Sequence, residues 1–391
     1  MALVPTQRTR PALRPLNPKM SVDIAAANAT FLQALYKHAA TKLIAPATHP
    51  ATTATPVANQ TPASSAQKGA GTKLHIERPF SLTDLTPLTE TVPSRNLPEE
   101  LSVFDRGDAT GRHPRRADTA LRYVRAYPRI PKARVESPGA AMRRGYLFLD
   151  PANQFSDGRR SAVYRAPLVA SLGPKGAAGA APRNVAVVAK LAKGDCRSQY
   201  LLRQEGKAYS MLPTHVQGED DTVPLVPNFY GLYVAVDSKG RRLCGDHPHC
   251  DGYLHSDCQV DWPSPILLME DCGKPIELEK MDLAARQECW SLIEQLHEAG
   301  VAHGSVHARN ILMQPGPLDV PQDQRSLATP SYRMSSLGRT EVLYPRHARG
   351  EPTRLARNSY EKARERDMQI GLWELRPWEE EKDPPAAVEE F

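Results

Sequence analysis

With 391 residues, 36 prolines and a hydrophobic share of 40%, the chain has room for one domain of roughly 250 residues plus a long extended appendage. Its net charge of +6 is small beside 50 basic and 44 acidic residues. No charge block or aromatic-spaced basic stripe stands out, so nucleic acid is not expected as a main partner. No apolar run reaches the ~18 residues that a membrane span needs, and no secretory apolar segment is present. The six cysteines (Cys196, Cys244, Cys250, Cys258, Cys272, Cys289) therefore read as reduced thiols in an intracellular protein, cytoplasmic or nuclear.

Residues 1–45 begin with an acid-free basic stretch (Arg8, Arg10, Arg14, Lys19), a pattern shared by mitochondrial presequences and by plain basic tails. The basic-tail reading is preferred. Ile24, Phe31, Leu32, Leu35, Ala39 and Leu43 then follow a helical period, with Ser21 placed to cap it. Residues 46–140 form a Pro/Ala/Thr-rich extension. Its stretch 46–72 is too poor in large apolar groups to offset its ordering entropy, and 73–140 reads as mostly loop with local strands against the later domain.

From residue 141 the pattern changes. Strands are expected at 146–149, 162–168, 185–191, 229–236 and 266–270. A helix is expected at 199–212, between the third and fourth strands. A longer one is expected at 283–299, stopped by Gly300.

The segment 296–312 reads LHEAGVAHGSVHARNIL, with His303 and Asn310 seven residues apart after an amphipathic helix and before an apolar strand. It resembles the catalytic loop of protein kinases. Val187-Val188-Ala189-Lys190 resembles the kinase strand whose lysine holds nucleotide phosphates, and Glu205 is spaced to pair with it from the next helix. Met269, Glu270 and Cys272 match a gatekeeper and hinge. Gly158, ahead of Val163, is the one glycine left of a phosphate loop whose other positions are Ser156 and Ser161, with Arg159 and Arg160 at its tip. Residues 314–334 are similar to a group of kinase-like proteins from basidiomycete fungi that have a shortened C-lobe.

This resemblance implies an α+β, two-lobed, protein-kinase-like fold: an N-lobe over 141–272 and a truncated helical C-lobe over 273–391, with a long, partly disordered N-terminal extension. It also implies what is missing. Ser305 stands where a kinase has its catalytic aspartate, and Ser336 where it has the metal-binding aspartate. A neutral serine is no general base at pH 7 and a poor Mg²⁺ ligand. Gly304 replaces the arginine that engages a phosphorylated activation loop. The expectation is a pseudokinase acting as a binding or regulatory module for a protein partner, binding ATP weakly and not using Mg²⁺. Two alternatives stay open: an atypical active kinase with a displaced metal ligand (Asp319, Asp323 or Glu341), and a scaffold that binds no nucleotide.

Cys244, His247, His249, Cys250, His255 and Cys258 fall within fifteen residues and include zinc-ligand types. Their spacing lacks the tight Cys-x2-Cys of a zinc knuckle. No zinc is expected there.

Overall fold

The computed structural model describes residues 82–111, 120–130, 142–173, 181–218, 222–243, 258–318, 320–345 and 350–378. The segments 1–45 and 46–72, and with them the basic tail, the N-terminal helix and the low-complexity stretch, lie outside the described residues.

Nine strands form one sheet: β1 (Thr86–Pro87), β2 (Glu100–Asp105), β3 (Leu121–Tyr127), β4 (Arg144–Leu149), β5 (Gln154–Asp157), β6 (Ser161–Ala170), β7 (Arg183–Ala192), β8 (Phe229–Ala235) and β9 (Ile266–Met269). Its order is β1-β7-β9-β8-β3-β2-β4-β6-β5, and a further β6–β7 pairing closes seven of the strands into a barrel. The ten-residue strand β6 pairs along its whole length with β7 and shares its other edge between β5 and β4.

Side chains alternate across each strand, so one set must point inward. Leu101 and Val103 of β2, Tyr123 of β3, Leu147 and Leu149 of β4, Leu168 of β6, Val187 and Leu191 of β7, and Ile266 and Leu268 of β9 fill the interior together. Fully burying each such aliphatic side chain contributes about 1.5–3 kcal/mol. The segment running into β2 adds Leu88, Val92 and Leu97 to the same core. Tyrosines tie that segment down: Tyr230 donates to the Leu88 carbonyl (2.8 Å) and Tyr233 to the Pro98 carbonyl (3.0 Å).

Helix α1 (Cys196–Met211) lies on the outer wall. Asp195 caps it, its carboxylate accepting the Ser198 N–H at 2.8 Å. A Cβ on Gly206 would come within 2.6 Å of the Leu232 Cβ, so only glycine lets the helix sit this close to β8. One turn on, Tyr209 stacks on Phe229 with ring centroids 4.9 Å apart.

After the barrel come β10 (Lys274–Pro275), α2 (Leu283–Glu298), β11 (Val301–Ala302), β12 (Ile311–Gly316), β13 (Ser326–Met334), β14 (Glu341–Val342) and α3 (Arg354–Leu375). Strands β10, β12 and β13 make a small sheet and β11 pairs with β14. Helix α3 crosses α2 at Gly371, where a Cβ would lie 3.1 Å from both Ile293 and Trp290.

A closed seven-stranded barrel and only three α-helices among the described residues are not the expected two-lobed kinase-like fold with a helical C-lobe. The physical reason lies in the sheet. The expected strands alone leave the apolar face of Leu168, Val187, Leu191, Ile266 and Leu268 uncovered. β2 and β3, from a region read as mostly loop, complete the wall that covers it.

Replacing a helical glycine ordinarily favours the helix by up to about 1 kcal/mol. At Gly206 the contact with Leu232 outweighs that gain. Gly206→Val is expected to destabilise the protein by about 1–3 kcal/mol through overpacking, read as a lower urea midpoint with an unchanged slope.

Candidate functional site

Lys190 sits on the outward-facing side of β7, because its neighbours Ala189 and Leu191 point into the barrel. Glu205, nearly three turns beyond the Asp195 cap, faces it from α1. The Lys190 Nζ lies 3.0 Å from Glu205 Oε1 and 2.8 Å from Oε2, and donates at 3.2 Å to the Ser336 hydroxyl. The side chains are 12% and 4% exposed, so this ion pair is largely shielded from water. An ammonium has three N–H donors; two face Glu205 and one faces Ser336.

Ser336 follows β13 with a left-handed backbone (φ 67°). Its predecessor Ser335 donates from its backbone N–H (2.8 Å) and its hydroxyl (3.0 Å) to the Asn310 carbonyl. The Ser335 carbonyl accepts from His303 Nε2 at 2.7 Å. The Asn310 amide donates at 2.8 Å to the Ser305 carbonyl, folding the 303–310 loop on itself. Hydrogen bonds and the Ser335–Ser336 peptide link thus connect Lys190, Glu205, His303, Ser305, Asn310 and Ser336.

His303 is buried, with Nε2–H assigned as the donor to a carbonyl, and Nδ1 has no hydrogen-bond partner. Burial pushes its pKa down, against the pull of the Ser335 carbonyl and of Asp367. It is therefore neutral at pH 7, and buried between the two segments it acts as a pillar.

The loop is also held from behind by α3. Asp367, fully buried, accepts the His303 backbone N–H at 2.6 Å and lies 3.3 Å from His297 Nε2. Glu374 accepts the Ala308 N–H at 2.6 Å and meets His307 Nδ1 at 2.5 Å. These two carboxylates went unnoticed in the sequence, because α3 shows no continuous apolar stripe there. The signal available was an acid at two helical positions seven apart, Asp367 and Glu374.

At the expected hinge, the side chains turn inward. Met269 is buried, and Glu270 accepts from the backbone (3.1 Å) and side-chain amide (3.0 Å) of Asn228. Its own N–H donates to the Asn228 carbonyl at 2.9 Å. Burial raises the Glu270 pKa and pushes the Cys272 thiol well up, beside Glu270 and Arg333. Asp271 pairs with Arg165 at 2.6 Å. Gly158 lies at the β5–β6 turn, its N–H donating to the Ser161 carbonyl at 2.9 Å, and Val163 is half-buried beside Lys190 in the ladder.

Chemically the cluster offers an ammonium, two serine hydroxyls and an amide. Its one carboxylate, Glu205, already holds Lys190. Asp367 and Glu374 are engaged by the loop, Asp323 and Glu341 are exposed on other elements, and Asp319 lies outside the described residues. No group of three or more metal-binding side chains occurs among the described residues. Cys244, His247, His249, Cys250 and His255 lie outside them; Cys258 is described, with its Sγ 3.5 Å from that of Cys196.

Removing one partner of a shielded ion pair leaves the other charge buried, which costs about 3–5 kcal/mol. Lys190→Met is expected to lower stability by roughly that amount, and adding Glu205→Gln to recover much of it. Denaturant melts of the two single variants and the double variant measure the coupling. Asp367→Ala is expected to cost about 1–3 kcal/mol by stranding the His303 N–H.

No protein-family model matches the chain, and no curated protein matches its sequence. No helix among the described residues is long and apolar enough to cross a membrane.

Proposed function

We propose that this protein is a catalytically impaired relative of protein kinases, a pseudokinase working as a binding or regulatory module in the cytoplasm or nucleus. In this reading it holds an adenine nucleotide weakly and gains nothing from Mg²⁺. The observation that carries the reading is the Lys190–Glu205 pair with Ser336 at 3.2 Å, where an aspartate would be needed to hold metal.

Phosphoryl transfer asks a protein mainly for positioning and charge neutralisation. The network supplies positioning: Asn310, Ser305 and Ser336 are tied to Lys190 through Ser335. It supplies little net charge, because Glu205 already balances Lys190. Ser305 is no general base at pH 7, His303 is buried, and Asn310 is the one metal-ligand type left beside Ser336. An active kinase with a displaced ligand finds little support, since the acids nearest the loop, Asp367 and Glu374, are hydrogen-bonded to its backbone.

A second reading, a scaffold that binds no nucleotide, is favoured by one observation. All three Lys190 donors are occupied and the Glu270 N–H is bonded to Asn228. A phosphate oxygen would have to displace the Ser336 hydroxyl.

Thermal shift with millimolar ATP, with and without Mg²⁺, separates the readings. A small stabilisation, equal in both conditions and lost in Lys190→Met, is expected. No shift at any concentration selects the scaffold. A stabilisation of several kcal/mol that requires Mg²⁺ would sink the proposal, since mass action ties it to tight binding. Ser336→Asp is expected to make binding depend on Mg²⁺, tightening it on the order of tenfold.

A further inference from the structure

Arg160, Arg197, Arg309, Arg339 and Arg366 come from five separate parts of the chain, and the fold brings them onto one face. Arg160 ends the β5–β6 turn, and its carbonyl accepts the Lys193 N–H at 2.9 Å. Lys193 leads directly through the Asp195 cap to Arg197 in the first turn of α1. Arg339 follows Gly338, where a Cβ would lie 2.8 Å from the Leu201 carbonyl, one turn beyond Arg197. The Arg339 carbonyl also covers Gly304, whose own Cβ would approach it to 2.4 Å.

The other two arrive through α3. Ala308 donates to Glu374 and places Arg309 beside that helix. Asp367 accepts from the His303 N–H and places Arg366 against the same loop.

These cations repel one another. Burial and then the charges of Arg197, Arg366 and Arg309 push the Arg339 pKa down. Burial, Arg197, Arg159 and Arg339 do the same to Arg160, against Asp195. Elsewhere on the protein exposed arginines pair with acids, as Arg165 does with Asp271 and Arg241 with Asp237. Among the described residues, none of these five forms an ion pair with a carboxylate. Holding like charges together without counter-ions costs stability, and an anion bound from solution would relieve it.

We propose that this arginine face binds a short phosphorylated segment of a partner polypeptide. Arginine, unlike lysine, presents a planar fork that grips phosphate with two parallel hydrogen bonds, and all five positions are arginine. Arg309, Arg339 and Arg366 are exposed, so the face suits a ligand lying across the surface more than one enclosed beside Lys190. Two acids near these elements are already engaged, Asp157 by Lys193 and Glu361 by Arg364. Trp373 lies seven residues beyond Arg366 on the same side of α3 and is 73% exposed, giving such a segment an apolar contact. This inference does not depend on nucleotide binding at Lys190.

The test is fluorescence anisotropy on the full chain with a synthetic peptide carrying two phosphoserines around a leucine. Controls are the same peptide without phosphate and a single-stranded oligonucleotide of equal charge. The phosphopeptide is expected to bind at least about tenfold more tightly than either control. Arg339→Ala, and Arg309→Ala combined with Arg366→Ala, are expected to weaken it by a similar factor. Lys239→Ala, at an exposed turn on the barrel, is expected to leave it unchanged. Equal binding of the unphosphorylated peptide, indifference to Arg339→Ala, or tighter binding of the oligonucleotide would overturn the proposal.

Discussion

A strand has two faces, and in β7 both are in use. Its inner residues, Val185, Val187, Ala189 and Leu191, are locked into the barrel core, so a slip of one residue would turn all four to the outside. That constraint fixes where Lys190 points. β6 pairs with β7 over ten residues and β9 pairs with it on the other edge, so register is set twice. The outward Lys190 then meets Glu205 only because Gly206 lets α1 lie close against β8. The ion pair, the Ser336 contact and the network behind it all depend on a barrel whose wall is completed by β2 and β3, which carry none of those residues.

The loop that holds His303, Ser305 and Asn310 is ordered from two directions. From the front, Ser335 bonds to Asn310 and His303; from behind, Asp367 and Glu374 of α3 take up the backbone N–H groups of His303 and Ala308. In the proposed pseudokinase reading, Ser305 and Ser336 stand where that chemistry would need acids, while the bonds that position the loop are present. The arginine face extends the same logic, since the bonds that order the loop from behind also bring Arg309 and Arg366 together.

Much of the local structure was legible in the sequence. The helix expected at 199–212 is found at Cys196–Met211, and that expected at 283–299 at Leu283–Glu298, each started by an aspartate cap. The five strands expected from residue 146 onward all form, because each shows an apolar run or alternation within a few residues. The pairing of Lys190 with Glu205 was readable from their spacing. β3 was not readable as a wall strand, because one of its inward positions is Arg125. Its guanidinium Nη1 donates to the carbonyls of Ser94 and Leu97, some thirty residues away in sequence. The buried side of α3 carries Tyr360, Asp367, Gly371 and Leu375, a set with no apolar periodicity to announce it.

The sequence by itself determined five strands of the large sheet, two of the three described α-helices, and which residue types are present at the candidate site. Those properties follow from side-chain period, capping and chemical identity, all local. Tertiary structure alone decided that the sheet closes into a barrel, since closure depends on long-range pairing of β2 with β4 and β3 with β8. It also decided that α3 braces the loop and that five scattered arginines share one face. Their proximity comes from contacts between residues far apart in the chain, which no local pattern encodes.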